Sequence, residues 1–152
     1  MLHVTINIEN TTKGRISKSF FKKIVREILR VLKIKKNIEM SLLLVGEKRI
    51  RSLNKQYRGQ DRVTDVLSFG YLESKRKFIT PRTSSMILGD VVICYPQAKK
   101  QAKQEGHSTL TEIGILFIHG LLHLLGFDHE EGDNQAKKMM RLEKKIIKKL
   151  NL

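Results

Sequence analysis

The sequence predicts an α+β fold in one domain covering residues 1–152, with a mixed four-stranded β-sheet covered by helices and a metal site on a helix of the C-terminal half and the turn after it. Three observations predict the fold. Strand-like alternation and helix-like periodicity take turns along the first part of the chain, and the C-terminal part is helical throughout. At 152 residues the chain is long enough to bury one core. No repeat, low-complexity tract or linker divides it.

Each element has its own signal. Residues 2–9 alternate as a strand. Between Ile16 and Leu32 the apolar residues Phe20, Phe21, Ile24, Val25, Ile28, Leu29 and Leu32 form a helical stripe, with Ser17 or Ser19 as N-cap. Residues 38–45 form a second strand ended by Gly46, and Glu47 to Tyr57 a short basic helix carrying Ile50, Leu53 and Tyr57. Asp65–Phe69 and Ile87–Tyr95 are the third and fourth strands, separated by a polar loop from Glu73 to Ser85 that contains Pro81. Pro96 permits a helix start, so 97–105 reads as a short polar helix. Thr109-Leu-Thr-Glu112 is a capping-box pattern that opens a strongly apolar helix through Leu125. The last helix, 133–151, interleaves Met139, Met140, Leu142, Ile146, Ile147 and Leu150 with seven Lys and Arg.

Composition narrows the function. Thirty Lys and Arg stand against 15 Asp and Glu, a net charge of +15. A Lys-rich composition accounts for part of that excess; the field it creates still favours a polyanionic partner, and nucleic acid is the commonest in a cytosol. No apolar run approaches the roughly 20 residues that cross a bilayer, and the basic C-terminal helix lacks the aromatic residues of an interfacial helix, so no membrane partner is expected. The N-terminus alternates like a strand rather than reading as a signal peptide. Cys94 is the only cysteine, which excludes an intramolecular disulfide and fits a reducing compartment. A cytoplasmic location is the expectation.

The chemistry concentrates in His119-Gly-Leu-Leu-His123-Leu-Leu-Gly126-Phe-Asp-His129. His119 and His123 are four apart in an apolar helix, so their rings share one face a turn apart. Gly126 can turn the chain without a Cβ penalty and bring His129 to the same point. Burying several imidazoles without partners is costly, and a shared metal removes that cost. Three imidazoles with a fourth position left open describe a catalytic site for one zinc ion. The spacing also matches metzincin peptidases, but those place a Glu directly after the first histidine as general base, and position 120 is Gly. A peptidase-like zinc hydrolase is therefore a minor alternative. A non-catalytic assembly factor with a structural metal is the other.

The same residues, read with three further blocks, resemble the YbeY family of bacterial rRNA maturation factors, which are metal-dependent endoribonucleases. The block at 119–129 matches with Phe127 in place of Tyr. Leu53-Asn54-x-x-Tyr57-Arg58, followed by Asp61 and Thr64-Asp65-Val66-Leu67-Ser68-Phe69, is similar to a second. Leu88-Gly89-Asp90-Val91 with Ile93, and Met140-x-Leu142-Glu143, are similar to a third and a fourth. The resemblance implies a helix-covered mixed sheet, one zinc held by His119, His123 and His129, and cleavage of single-stranded RNA. It further implies maturation of the 3′ end of small-subunit rRNA, a part in ribosome quality control, and the small subunit or its assembly factors as partners. Arg58 stands where the family carries an arginine facing the metal cleft. Two prolines of the family pattern are lost, at Val63 and Gly70, and a Glu usual after the third histidine is Gln135.

Alone, Arg58 would be a surface charge; carried over by the resemblance it becomes a phosphate clamp whose planar fork suits a phosphodiester, and with His119 it is expected to carry the catalysis. Asp65 and Ser68 are candidates to line the same cleft and contact substrate, although a turn-initiating Asp and a strand Ser are equally ordinary. Asp90 is similarly ambiguous. Asp128 can orient a ligand imidazole from behind, or stabilise the turn. Glu112 is best explained by the capping box, and His3 and His107 belong to no cluster. No protein general base stands out, and both water and the RNA 2′-hydroxyl are open as nucleophile.

Overall fold

The structure, a computed structural model, describes residues 2–71, 85–127 and 132–152. Its elements are β1 (Val4–Asn10), α1 (Lys18–Val31), β2 (Asn37–Val45), α2 (Glu47–Arg58), β3 (Val66–Gly70), β4 (Ser85–Cys94), α3 (Tyr95–Glu105), α4 (Thr109–Leu124) and α5 (Asp133–Lys149). The four strands form one sheet in the order β1-β2-β4-β3. β1, β2 and β4 are parallel, and β3 runs antiparallel to β4 on the outer edge. The α+β class and the mixed sheet are as the sequence predicts. Of the loop expected at 73–85, residues 73–84 lie outside the described residues, and Ser85 already belongs to β4.

The strands are two-sided. Ile38, Met40, Leu42 and Leu44 of β2, with Val91 and Ile93 of β4, face a large core against α1, α4 and α5. Their neighbours Val45, Val92 and Cys94 face the other way, into a smaller cluster with Ile50 of α2 and Leu67 of β3. On that second face Asn7, Glu9, Ser41, Leu43 and Asp90 line an open hollow. Phe21 of α1 meets Phe117 of α4 edge to face, with ring centroids 5.1 Å apart and both rings fully buried. This contact fixes α4, the helix that carries the histidines, against α1.

The end of β4 and its pairing with β2 show two local features. Tyr95 is the first residue of α3 and not the last of β4, because Pro96 takes an early helical position where its fixed φ suits and its missing N–H is not needed. The β2–β4 ladder also slips between Glu39 and Met40, which leaves Leu88 without a direct partner. Gly89 follows with φ +125°, and a side chain there would collide with the Phe69 carbonyl of β3.

Candidate metal centre and its cleft

α4 begins at a cap other than the expected one. Ser108 is the N-cap and its hydroxyl oxygen accepts from the Thr111 backbone N–H, 3.1 Å away. Glu112, only 7 % exposed, pairs instead with the His107 Nε2 at 2.5 Å. The expected Thr109–Glu112 box is thus replaced by a Ser108 cap and a His107–Glu112 pair, because one residue's shift in the helix start frees Glu112 to face the α3–α4 corner.

Two turns on, the helix brings His119 and His123 together. Their Nε2 atoms lie 3.1 Å apart and their ring planes meet at 71°. Two nitrogens bound to one tetrahedral zinc would be separated by about 3.3 Å. The Nδ1 of His119 is held by the Glu143 carboxylate of α5. A carboxylate behind one ring nitrogen fixes the tautomer and leaves the other nitrogen as a lone-pair donor, as at histidine metal sites generally. These two imidazoles therefore fit a metal ion. No group of three metal-binding side chains occurs among the described residues, and His129 and Asp128 lie outside them.

Gly126 behaves as its position suggests. With φ +97° it follows the C-cap Leu125, its N–H donates to the His123 carbonyl, and the Phe127 N–H donates to the Leu122 carbonyl. That paired pattern is a Schellman motif, which ends α4 at Leu124, one residue beyond His123. Gly120 has a different reason to be glycine. A Cβ there would lie 2.9 Å from Val91 Cγ1 and 3.1 Å from Ser68 Oγ, so α4 crosses β3 and β4 too closely for a side chain.

Ser68 and Arg58 stand at the same crossing. The Ser68 hydroxyl donates to the Gly120 carbonyl at 3.1 Å, next to His119 in the chain. In the β3–β4 ladder the Tyr71 N–H donates to Leu88 and the Cys94 N–H to Asp65, so by antiparallel alternation the Ser68 carbonyl points off the outer edge. Arg58 Nη2 donates to that carbonyl at 2.7 Å, and the guanidinium carbon lies 5.0 Å from the centre of the Phe69 ring. Arg58 therefore spans the sheet edge between the face of α4 and the face of α2. It gets there because α2 ends at Gly59 in a left-handed C-cap and because Arg51 and Lys55 of α2 grip Asp61 just beyond. The hydrogen bond from Arg51, with both cations nearby, holds the Asp61 carboxyl below the usual carboxylate range.

The remaining candidates fall elsewhere. The Asp65 carboxylate accepts from the Val66 N–H at 2.7 Å and from Gln101 Nε2 of α3 at 3.2 Å, contacts that tie β3 to α3. Asp90 lines the open hollow on the second face of the sheet. Gln135 is exposed in the first turn of α5, and Val63 packs on the smaller cluster. Cys94 is buried, which pushes its thiol pKa up and keeps it an unreactive neutral group. Sequence reasoning gave Glu143 no role. A signal was present: it is the only acidic residue between Asn134 and Leu152 in a Lys-rich stretch.

Glu143→Gln is expected to weaken zinc binding roughly 10- to 100-fold while the fold is retained, since removal of a carboxylate behind a ligating histidine has that effect generally. Competition with a chromophoric chelator checks it; an unchanged affinity would show that the Glu143 contact does not serve the metal.

The sequence model of the family described as Endoribonuclease YbeY matches residues 5–151. An Endoribonuclease YbeY from Persephonella marina is 44% identical over 150 residues, covering 99% of this chain and 94% of the relative. One from a Sulfurihydrogenibium species is 43% identical over 147 residues, covering 97% and 91%. A Thermotoga maritima protein solved in solution superposes with a TM-score of 0.60 at 28% identity, covering 96% of this chain and 89% of that one. The chain belongs to the endoribonuclease YbeY family.

Proposed function

We propose that this chain is a zinc-dependent endoribonuclease that cuts single-stranded RNA, and that it acts in maturation of the 3′ end of small-subunit rRNA and in ribosome quality control in the cytoplasm. The observation that carries the chemistry is the facing pair of His119 and His123 nitrogens, one ring locked from behind by Glu143. His119, His123 and His129 would hold the ion, with His129 assigned from its spacing in the sequence and the family resemblance. Once bound, zinc supplies Lewis acidity, polarising a phosphoryl oxygen and lowering the pKa of water towards ~7.

The protein's own groups do the rest. Arg58, anchored at the β3 edge, offers its fork to a phosphate and stabilises charge that develops there. Ser68 fixes β3 to α4 beside the histidines. The surrounding cations draw the polyanion in, so binding should fall steeply with salt. Gly120 stands where a metzincin carries its general base, in a crossing with no room for a side chain, which argues against the peptidase reading. RNA and the small ribosomal subunit or its assembly factors are the partners this reading expects.

The test is a direct comparison of substrates. Zinc-loaded protein should cut a single-stranded RNA and leave a peptide intact, with much slower cleavage of the same RNA in a duplex. Peptide hydrolysis without RNA cleavage would overturn the reading. A 2′,3′-cyclic phosphate on the products would identify the 2′-hydroxyl as nucleophile; a 5′-phosphate with a 3′-hydroxyl would identify water.

A further inference from the structure

The ring of Tyr57 has no place in the chemistry above, yet its setting is unusual for this chain. Among the described residues, the exposed large hydrophobic side chains are Leu2, Tyr57, Leu110 and Met140, so Tyr57 is the only aromatic ring in that set, at 56 % exposure. It sits in the last turn of α2, directly before Arg58. It is not a loose side chain. Its ring meets that of Phe69 in a tilted, T-shaped contact, with centroids 5.2 Å apart and planes at 61°. Phe69 in turn lies beneath the Arg58 guanidinium.

The sheet edge relates this ring to the histidines. Phe69 belongs to the smaller cluster on the α2 face, whereas the Ser68 hydroxyl reaches Gly120 on the α4 face. Arg58 contacts both residues, the Phe69 ring and the Ser68 carbonyl, from the outer edge of β3. A chain that places one phosphate at Arg58 therefore meets the metal-site face on one side and the Tyr57 ring on the other. An exposed, immobilised aromatic face beside a cation is the recurring means by which proteins hold single-stranded nucleic acid, because every base has a π-face to stack.

We propose that Tyr57 is a base-stacking subsite: single-stranded RNA crosses the outer edge of β3, with a phosphate at Arg58 and the neighbouring base stacked on the Tyr57 ring. This rests on the endoribonuclease reading and adds a positioning residue to it. The subsite is indifferent to base identity and selects for unpaired nucleotides, since a base held in a duplex cannot leave its stack to reach the ring.

The experiment uses zinc-loaded protein, a single-stranded RNA and a series of the same RNA, each carrying one abasic residue. Tyr57→Ala should bind the intact RNA about tenfold more weakly, raising KM with little change in kcat, and Tyr57→Phe should restore wild-type binding. One abasic position should weaken wild-type binding by a similar factor and leave Tyr57→Ala unaffected. A purely structural role would lower affinity equally for intact and abasic RNA, and that result overturns the subsite. Tyr57→Ala that binds and cuts as wild type also overturns it, while leaving the nuclease reading in place. Wild-type protein that binds no single-stranded RNA overturns both.

Discussion

His119→Ala should strip the protein of zinc and of RNA cleavage together, with activity falling on the order of a thousandfold or more. The magnitude follows from the several kcal/mol that a metal ion contributes to a phosphoryl transition state, each ~1.4 kcal/mol being a factor of ten. The fold should survive, because the His119 side chain is one-third exposed and lies outside the packed core. Its loss releases Glu143 from its ring contact and leaves His123 without the facing nitrogen. Metal analysis beside a cleavage assay on the same preparation checks the prediction. Wild-type cleavage by a metal-free variant would point to a contaminating nuclease and remove the assignment.

Arg58→Ala should separate the two halves of the site. Zinc content should stay at the wild-type level, while cleavage falls about 100- to 1,000-fold, the usual effect of deleting one donor aimed at developing charge. Arg58→Lys should recover only a small part, since a point charge does not replace a planar fork. The arginine also has a structural partner at the β3 edge, so each variant's unfolding midpoint has to be measured too. Loss of the hydrogen bond to Ser68 and of the cover on Phe69 is expected to cost about 1–2 kcal/mol of stability. Unaltered kcat in a folded Arg58→Ala protein would exclude Arg58 from the chemistry.

Much of the fold was legible from local periodicity, and the reasons for the exceptions are physical. The apolar stripe of α1 and the alternation of β1 and β2 are properties of consecutive residues, so they could be read directly. The strand order could not, because the position of β3 outside β4 depends on pairings between distant segments. The cap of α4 was misplaced by one residue because Ser108 and Thr109 both suit an N-cap, and the choice between them is made where Glu112 is buried against His107.

The site divides in the same way. His119 and His123 were legible because i, i+4 spacing on a helix guarantees proximity. Glu143 was not, because it reaches His119 from a helix 24 residues away in sequence, by packing of α5 on α4. Gly120 was read as a missing general base, and the structure adds the steric reason that α4 meets Val91 and Ser68 there. For Asp65 the contacts with Gln101 and Val66 favour the structural side of its two readings.

One zinc ion, held by His119, His123 and His129, should be required for RNA cleavage. Titration of zinc into chelator-treated protein checks this requirement, with cleavage of a single-stranded RNA followed at each addition. The activity should begin near zero, rise in proportion to added zinc and level off at one equivalent per chain. Full cleavage before any zinc is restored would contradict a zinc requirement.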